Sequence, residues 1–141
     1  DGSGKMGKSE GNGIFLVEDP ADIRKKVMRA VTDSGPTVMN QLKPEPIQNL
    51  FTLMGIVSAP ETVAFYEEKY NGCQIRYGDM KKQLAEDIIA FTAPIRERIL
   101  AIRADEAYLA RVAREGAEKA RESAAHTLAE VKALVGLKRL W

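Results

Sequence analysis

From Pro20 onward, apolar side chains recur every three or four residues, and no stretch alternates with the two-residue period of a strand. Asp19 before Pro20 reads as an N-cap followed by the residue best tolerated in a first helical turn. A helix is predicted over 20–31, with Ile23, Val27 and Ala30 on one face. Gly35, Pro36, Pro44 and Pro46 mark a connection, after which a second helix is predicted over 46–57 with Ile47, Leu50, Phe51, Met54 and Val57 as its buried stripe. Ser58 and Glu61 read as a capping box opening a third helix, which Tyr70, Asn71 and Gly72 close. A long helix over 79–103 carries Leu84, Ile88, Phe91, Ile95, Ile99 and Ile102, and Pro94 is expected to kink it. A further helix starts near Asp105. The last stretch, 117–135, sets Ala120, Ala124, Leu128, Val131 and Val135 on one face, and its small residues imply close packing against another helix. Arg111 with Glu115 and Glu115 with Lys119 are spaced as i,i+4 ion pairs. The expected fold class is all-α, an irregular bundle of about five helices behind a flexible loop.

That loop is the first thirteen residues, where five glycines surround Lys5 and Lys8. Its composition gives the backbone no local reason to be regular, and a short apolar run, Ile14 to Val17, links it to the first helix. The expected organisation is therefore a loop and link over 1–18 and a helical domain over 19–141. A length of 141 residues suits one compact core. With 45% hydrophobic and 29% charged residues the composition is globular. A net charge of +1 gives no global field, so any nucleic-acid contact would use a local patch. Residues 80–141 hold twelve Lys or Arg against nine Asp or Glu, and Arg96, Arg103, Arg111 and Arg114 could share a surface. Each of these reads more readily as an ordinary solvated charge than as an RNA contact, and Tyr66, Tyr70 and Tyr77 read as packing residues rather than base-stacking platforms. The single cysteine, Cys73, excludes an internal disulfide and a cysteine zinc cluster, suits a reducing compartment, and reads as a small, partly buried side chain. No apolar run approaches the roughly 20 residues that span a bilayer. The chain is expected to be cytoplasmic, with no membrane and no DNA among its partners.

Overt chemistry is confined to the loop. Gly2-Ser3-Gly4-Lys5-Met6-Gly7-Lys8-Ser9 fits the spacing of a Walker A phosphate loop. Such a loop must run straight into a helix whose N-terminal amides hold the phosphates, yet Glu10-Gly11-Asn12-Gly13 follows and resists helix formation.

Lys5-Met6-Gly7-Lys8-Ser9 also resembles the KMSKS signature of class I aminoacyl-tRNA synthetases, with Gly7 in place of the first serine. The continuation through Glu10-Gly11-Asn12 and on to Ile23-Arg24-Lys25-Lys26-Val27-Met28-Arg29-Ala30-Val31-Thr32-Asp33-Ser34 is similar to the tryptophanyl branch of that class. So are Asp105-Glu106-Ala107-Tyr108-Leu109 and Gly116-Ala117-Glu118-Lys119-Ala120-Arg121. The resemblance covers nearly the whole chain, as a C-terminal portion beginning at the signature loop.

What the resemblance implies is an enzyme that condenses tryptophan with ATP and magnesium to tryptophanyl-adenylate and passes the amino acid to its tRNA. It implies ATP-phosphate contacts from Lys5, Met6, Gly7, Lys8 and Ser9, with Lys8 as the main catalytic cation and Lys5 as the second. It further implies a homodimeric full-length enzyme and a helical C-terminal part that helps read the tRNA anticodon. The only histidine, His126, lies in a predicted helix, so the class's histidine-containing signature is absent from this chain. The 141 residues are accordingly expected to be inactive alone and to hold no bound cofactor. Two other readings stay open: a nucleotide hydrolase built on the Walker-like loop, and a helical interaction module without a nucleic-acid role.

Overall fold

The structure is a computed structural model that describes residues 6–137. Lys5, Lys138, Arg139 and Trp141 lie outside the described residues. Five helices follow in order: α1 (Pro20–Arg29), α2 (Glu45–Val57), α3 (Pro60–Asn71), α4 (Tyr77–Ala104) and α5 (Glu106–Leu134). No strand occurs among the described residues, so the all-α class is borne out.

The chain divides into two units, one up to Arg98 and one from Ile99 onward. The first holds the core. Ile23 and Val27 of α1, Ile47, Leu50, Phe51 and Met54 of α2, Tyr70 of α3, and Met80, Leu84, Ala85 and Ile88 of α4 form one buried cluster. The stripes expected for α1 and α2 are the ones buried, because residues three and four apart share a helix face. On α4 the stripe departs from expectation. Thr92 is buried where Phe91 was expected, and Phe91 and Ile95 are exposed. Thr92 becomes burial-compatible by donating its hydroxyl to the Ile88 carbonyl at 2.8 Å. The helix continues through Pro94.

Helix ends show which local signals prevailed. Asp19 caps α1, its Oδ1 accepting from the Ala21 amide at 2.9 Å. α1 ends at Arg29, two residues before the expected limit, and Lys81 Nζ donates to the freed Ala30 carbonyl at 2.6 Å and to Thr32 Oγ1 at 3.1 Å. The Ser58 capping box does not form. Ala59 is the N-cap of α3, with no side-chain cap, and Ser58 Oγ instead donates to Asp87 Oδ2 of α4 at 2.5 Å. A tertiary carboxylate outcompetes the local amide, and Pro60 already removes one unpaired donor from the first turn.

The end of α3 holds a further difference. The left-handed step falls on Cys73, at φ 57°, and not on Gly72. The Gln74 amide donates to the Lys69 carbonyl at 2.8 Å and the Cys73 amide to the Tyr70 carbonyl at 3.0 Å, which is a Schellman closure with cysteine in the usual glycine place. Gly72 serves close approach instead, since a Cβ there would sit 3.3 Å from the Glu68 carbonyl oxygen. Cys73 is exposed, not partly buried as expected, because a C′ residue projects away from the helix.

In the second unit, no residue of α5 is buried. Among the described residues the close packing expected from its small residues is not made: Leu128, Val131 and Val135 are all exposed. Among the described residues the Arg111–Glu115 and Glu115–Lys119 pairs do not close, and His126 Nδ1 lies 3.8 Å from Glu130 Oε1 on the solvent side. Arg111 lies over the Tyr108 ring at 5.4 Å. α5 ends in its own Schellman closure, this time with Gly136 at φ 72°.

Replacing Cys73 by glycine relieves a left-handed side chain at an exposed site and should stabilise the first unit by about 0.5–1 kcal/mol in urea denaturation. A loss of stability would show that the cysteine side chain has a structural partner.

A second expectation concerns pH. Burial is the first cause that raises the pKa of Tyr66, Tyr70 and Tyr77 above their usual 10.0, and Asp33 adds to it at Tyr77. Burial also lowers the pKa of Lys81 from its usual 10.5. The folded chain keeps tyrosine protons that the unfolded chain releases near pH 10, so these groups make stability fall as pH rises past that value. Lys81 acts oppositely, since the unfolded chain holds a proton that the folded one gives up. Three groups against one predict a urea midpoint lower at pH 11 than at pH 9, with a shallower fall in Tyr77→Phe. A flat or rising midpoint contradicts the tyrosine assignment.

Candidate functional site

The described part of the loop is short and closed by its own side chains. Lys8 to Gly11 form a turn, with Gly11 at φ 67°. Asn12 Oδ1 accepts from the Gly7 amide at 2.9 Å, which ties the two ends of this turn. Lys8 and Ser9 are exposed at its tip. Gly7, the departure from the signature, is not in a left-handed conformation. A Cβ there would meet Glu10 Cγ at 3.0 Å, so a serine fits once the flexible Glu10 side chain gives way by a few tenths of an ångström. Met6 turns the other way. With Asn12 and Ile14 it lines a cavity of about 470 Å³ whose far wall includes Val27, Leu50 and Leu53.

No helix springs from Ser9; the first one begins at Pro20. The Walker A spacing therefore lacks its essential helix, and the cradle of N-terminal amides that would hold phosphates is not built. What is built is a cationic tip on a turn, standing on a tethered stem. Phe15 N–H donates to Glu18 Oε2 at 3.1 Å, and the Glu18 amide donates back to the Phe15 carbonyl at 3.0 Å. Lys26 of α1 reaches this stem, with Nζ 2.7 Å from the Gly13 carbonyl oxygen, paired with Glu18 and 5.2 Å from the Phe15 ring centroid.

The structure thus gathers Met6, Gly7, Lys8 and Ser9 in one loop. Asn12 and Lys26 stand in the signature's continuation without an assigned role, and Glu18 was missed. Asn12 could have been suspected from its place among glycines, where asparagine side chains bond nearby amides. Lys26 gave no local signal, because its partners are eight to thirteen residues away. Of the basic candidates farther on, Arg96 is half-buried and 3.9 Å from Asp19, within the first unit, whereas Arg103, Arg111 and Arg114 are exposed in the second. Tyr70 is core, packed edge-on to Phe51 at 6.0 Å. Among the described residues no group of three or more His, Cys, Asp or Glu side chains could hold a metal, and no helix is long and apolar enough to cross a membrane.

A lysine-tipped, glycine-bearing turn on a helical body is the arrangement expected of a class I tRNA synthetase signature loop. Residues 1–93 match the family of tRNA synthetases class I (W and Y), and the chain belongs to that family. Among curated relatives, tryptophan–tRNA ligase of Porphyromonas gingivalis is 64% identical over 138 residues, covering 98% of this chain and 42% of the relative. Tryptophan–tRNA ligase 1 of Streptomyces coelicolor is 40% identical over 141 residues, covering 94% and 39%. The tryptophan–tRNA ligase of Listeria monocytogenes is 41% identical over 139 residues, covering 96% and 41%. The chain thus spans about two fifths of the length of these relatives. The resemblance read from the loop and its continuation is borne out.

Because the Gly7–Asn12 bond lies at a half-exposed surface, Asn12→Ala should change the stability of the helical body by less than about 1 kcal/mol. Amide exchange at residues 7–12 should nevertheless accelerate severalfold. Unchanged exchange would show that the turn is held by other contacts.

Proposed function

We propose that this chain is the signature-loop and helical portion of a tryptophan–tRNA ligase. The observation that carries the reading is the Lys-Met-Gly-Lys-Ser sequence with Lys8 exposed at the tip of a turn on a tethered stem, in a chain of the class I W and Y family. In the reaction the tryptophan carboxylate attacks the α-phosphorus of ATP and pyrophosphate leaves. Negative charge grows on the leaving group, so a mobile ammonium closing over it stabilises the transition state more than the ground state. Lys8 makes the main contact and Lys5 a second. Ser9 and the backbone at Met6 and Gly7 supply hydrogen bonds to phosphate, and magnesium arrives with the nucleotide. The stem leaves the tip free to swing, as a lid over ATP requires.

Residues 1–18 belong functionally with the nucleotide site, and 19–141 form the helical part that contacts the tRNA for tryptophan. Binding ATP and tryptophan needs a nucleotide-binding domain that these 141 residues do not contain, so they do not form adenylate alone. The whole enzyme acts in the cytoplasm as a homodimer.

Tryptophan-dependent exchange of pyrophosphate into ATP is the direct assay. The polypeptide carrying this chain behind its nucleotide-binding domain should be active, and the 141 residues alone inactive. Lys8→Ala in the longer polypeptide should lower kcat about 100- to 1000-fold, the usual effect of deleting one donor to a developing negative charge. Exchange by the isolated chain, or ATP binding to it that Lys8→Ala abolishes, would instead favour a self-contained nucleotide hydrolase.

A further inference from the structure

In the link between loop and helix the polar contacts converge on one side chain, while Ile14 packs against the core. Residues 13–18 contain no helix, yet three of them converge on Lys26. Its Nζ donates to the Gly13 carbonyl at 2.7 Å, pairs with the Glu18 carboxylate, and lies 5.2 Å from the centre of the Phe15 ring. Its side chain is 25% exposed and that of Glu18 12%, so the pair is shielded from the screening that weakens surface ion pairs. The neighbouring cation Arg24 turns away, pairing with Glu86 on α4 where both side chains are about half exposed. Of these two cations on α1, only Lys26 serves the loop. α1 itself is immobilised by the burial of Ile23 and Val27, so Lys26 transmits the position of the rigid core to the stem.

We propose that Lys26 is a positioning residue for the signature lysines, acting by pinning the stem at Gly13 and thereby setting how far the tip can wander from the nucleotide. The proposal rests on the reading of the loop as an ATP lid. With the pin in place, Lys8 is tethered five residues from a fixed point. Without it, the stem keeps the apolar contact of Ile14 with the core but loses the backbone tie at Gly13. The direction in which the stem leaves α1 is then no longer set, and a displacement of a catalytic group by about 1 Å costs up to roughly 100-fold in rate.

The test is a double-mutant cycle by pyrophosphate exchange in the longer polypeptide. Lys26→Met should lower kcat several-fold and leave the KM for tryptophan unchanged, while Lys26→Arg, which keeps the cation, restores most of the loss. In a Lys8→Ala background, Lys26→Met should cost clearly less than it does in the parent, because only the secondary ammonium of Lys5 is left to position. Glu18→Gln provides a second route to the same signature should Lys26→Met fail to fold. A Lys26→Met enzyme as active as the parent, or losses that multiply in the double mutant, would overturn the proposal and leave the lid reading intact. If Lys8→Ala itself leaves kcat unchanged, the lid reading fails, and the positioning role falls with it.

Discussion

The first unit depends on seating α1 against α2 and α4. Ile23 and Val27 contribute the apolar contact, and Lys81 completes it: nearly buried, it donates to the carbonyl at which α1 ends. An ammonium placed so deep is tolerated only because it satisfies backbone and hydroxyl oxygens that would otherwise lack partners. Burial lowers its pKa, the physical trace of that cost. Because the loop stands on α1, every distance from the core to Lys8 is measured from this junction.

The remainder of the unit repeats the same device of a polar side chain holding a non-helical segment to the core. Lys43 pairs with Glu67 at 2.6 Å while lying over the Phe51 and Tyr70 rings, which fixes the end of the 32–44 connection. Ser58 secures the turn before α3 to Asp87. Lys26 does so for the stem of the loop. In each case the tie joins residues distant in sequence, so the connections gain order that glycine- and proline-rich segments lack by themselves.

The contrast with the loop tip is functional in character. Between Gly7 and Asn12 a side-chain hydrogen bond closes the turn, and the exposed Lys8 and Ser9 sit beyond it. A lid must remain movable at the tip and located at the root, and the structure divides these requirements between Asn12 and Lys26. α5 shows the opposite situation, a long regular helix with apolar and small residues, none of which is buried among the described residues. Its regularity comes from local propensity, from the Asp105 cap, whose Oδ1 accepts from the Tyr108 amide at 2.8 Å, and from the Gly136 closure.

Helix number, order and most buried positions were legible in the sequence, because a 3.6-residue period and the Asp19-Pro20 start are properties of consecutive residues. The signature loop was legible for the same reason: five adjacent residues and their continuation carry it. Competition between local and distant partners was not legible. Ser58 had a valid capping pattern and still bonded Asp87; Gly72 had the composition of a left-handed cap, and Cys73 took that conformation. Nothing local in the sequence marks Lys26 or Lys81; folding puts a loop beside one and a helix terminus beside the other. Periodicity determined the elements, whereas the choice among hydrogen-bond partners required their positions in space, since such bonds discriminate over tenths of an ångström.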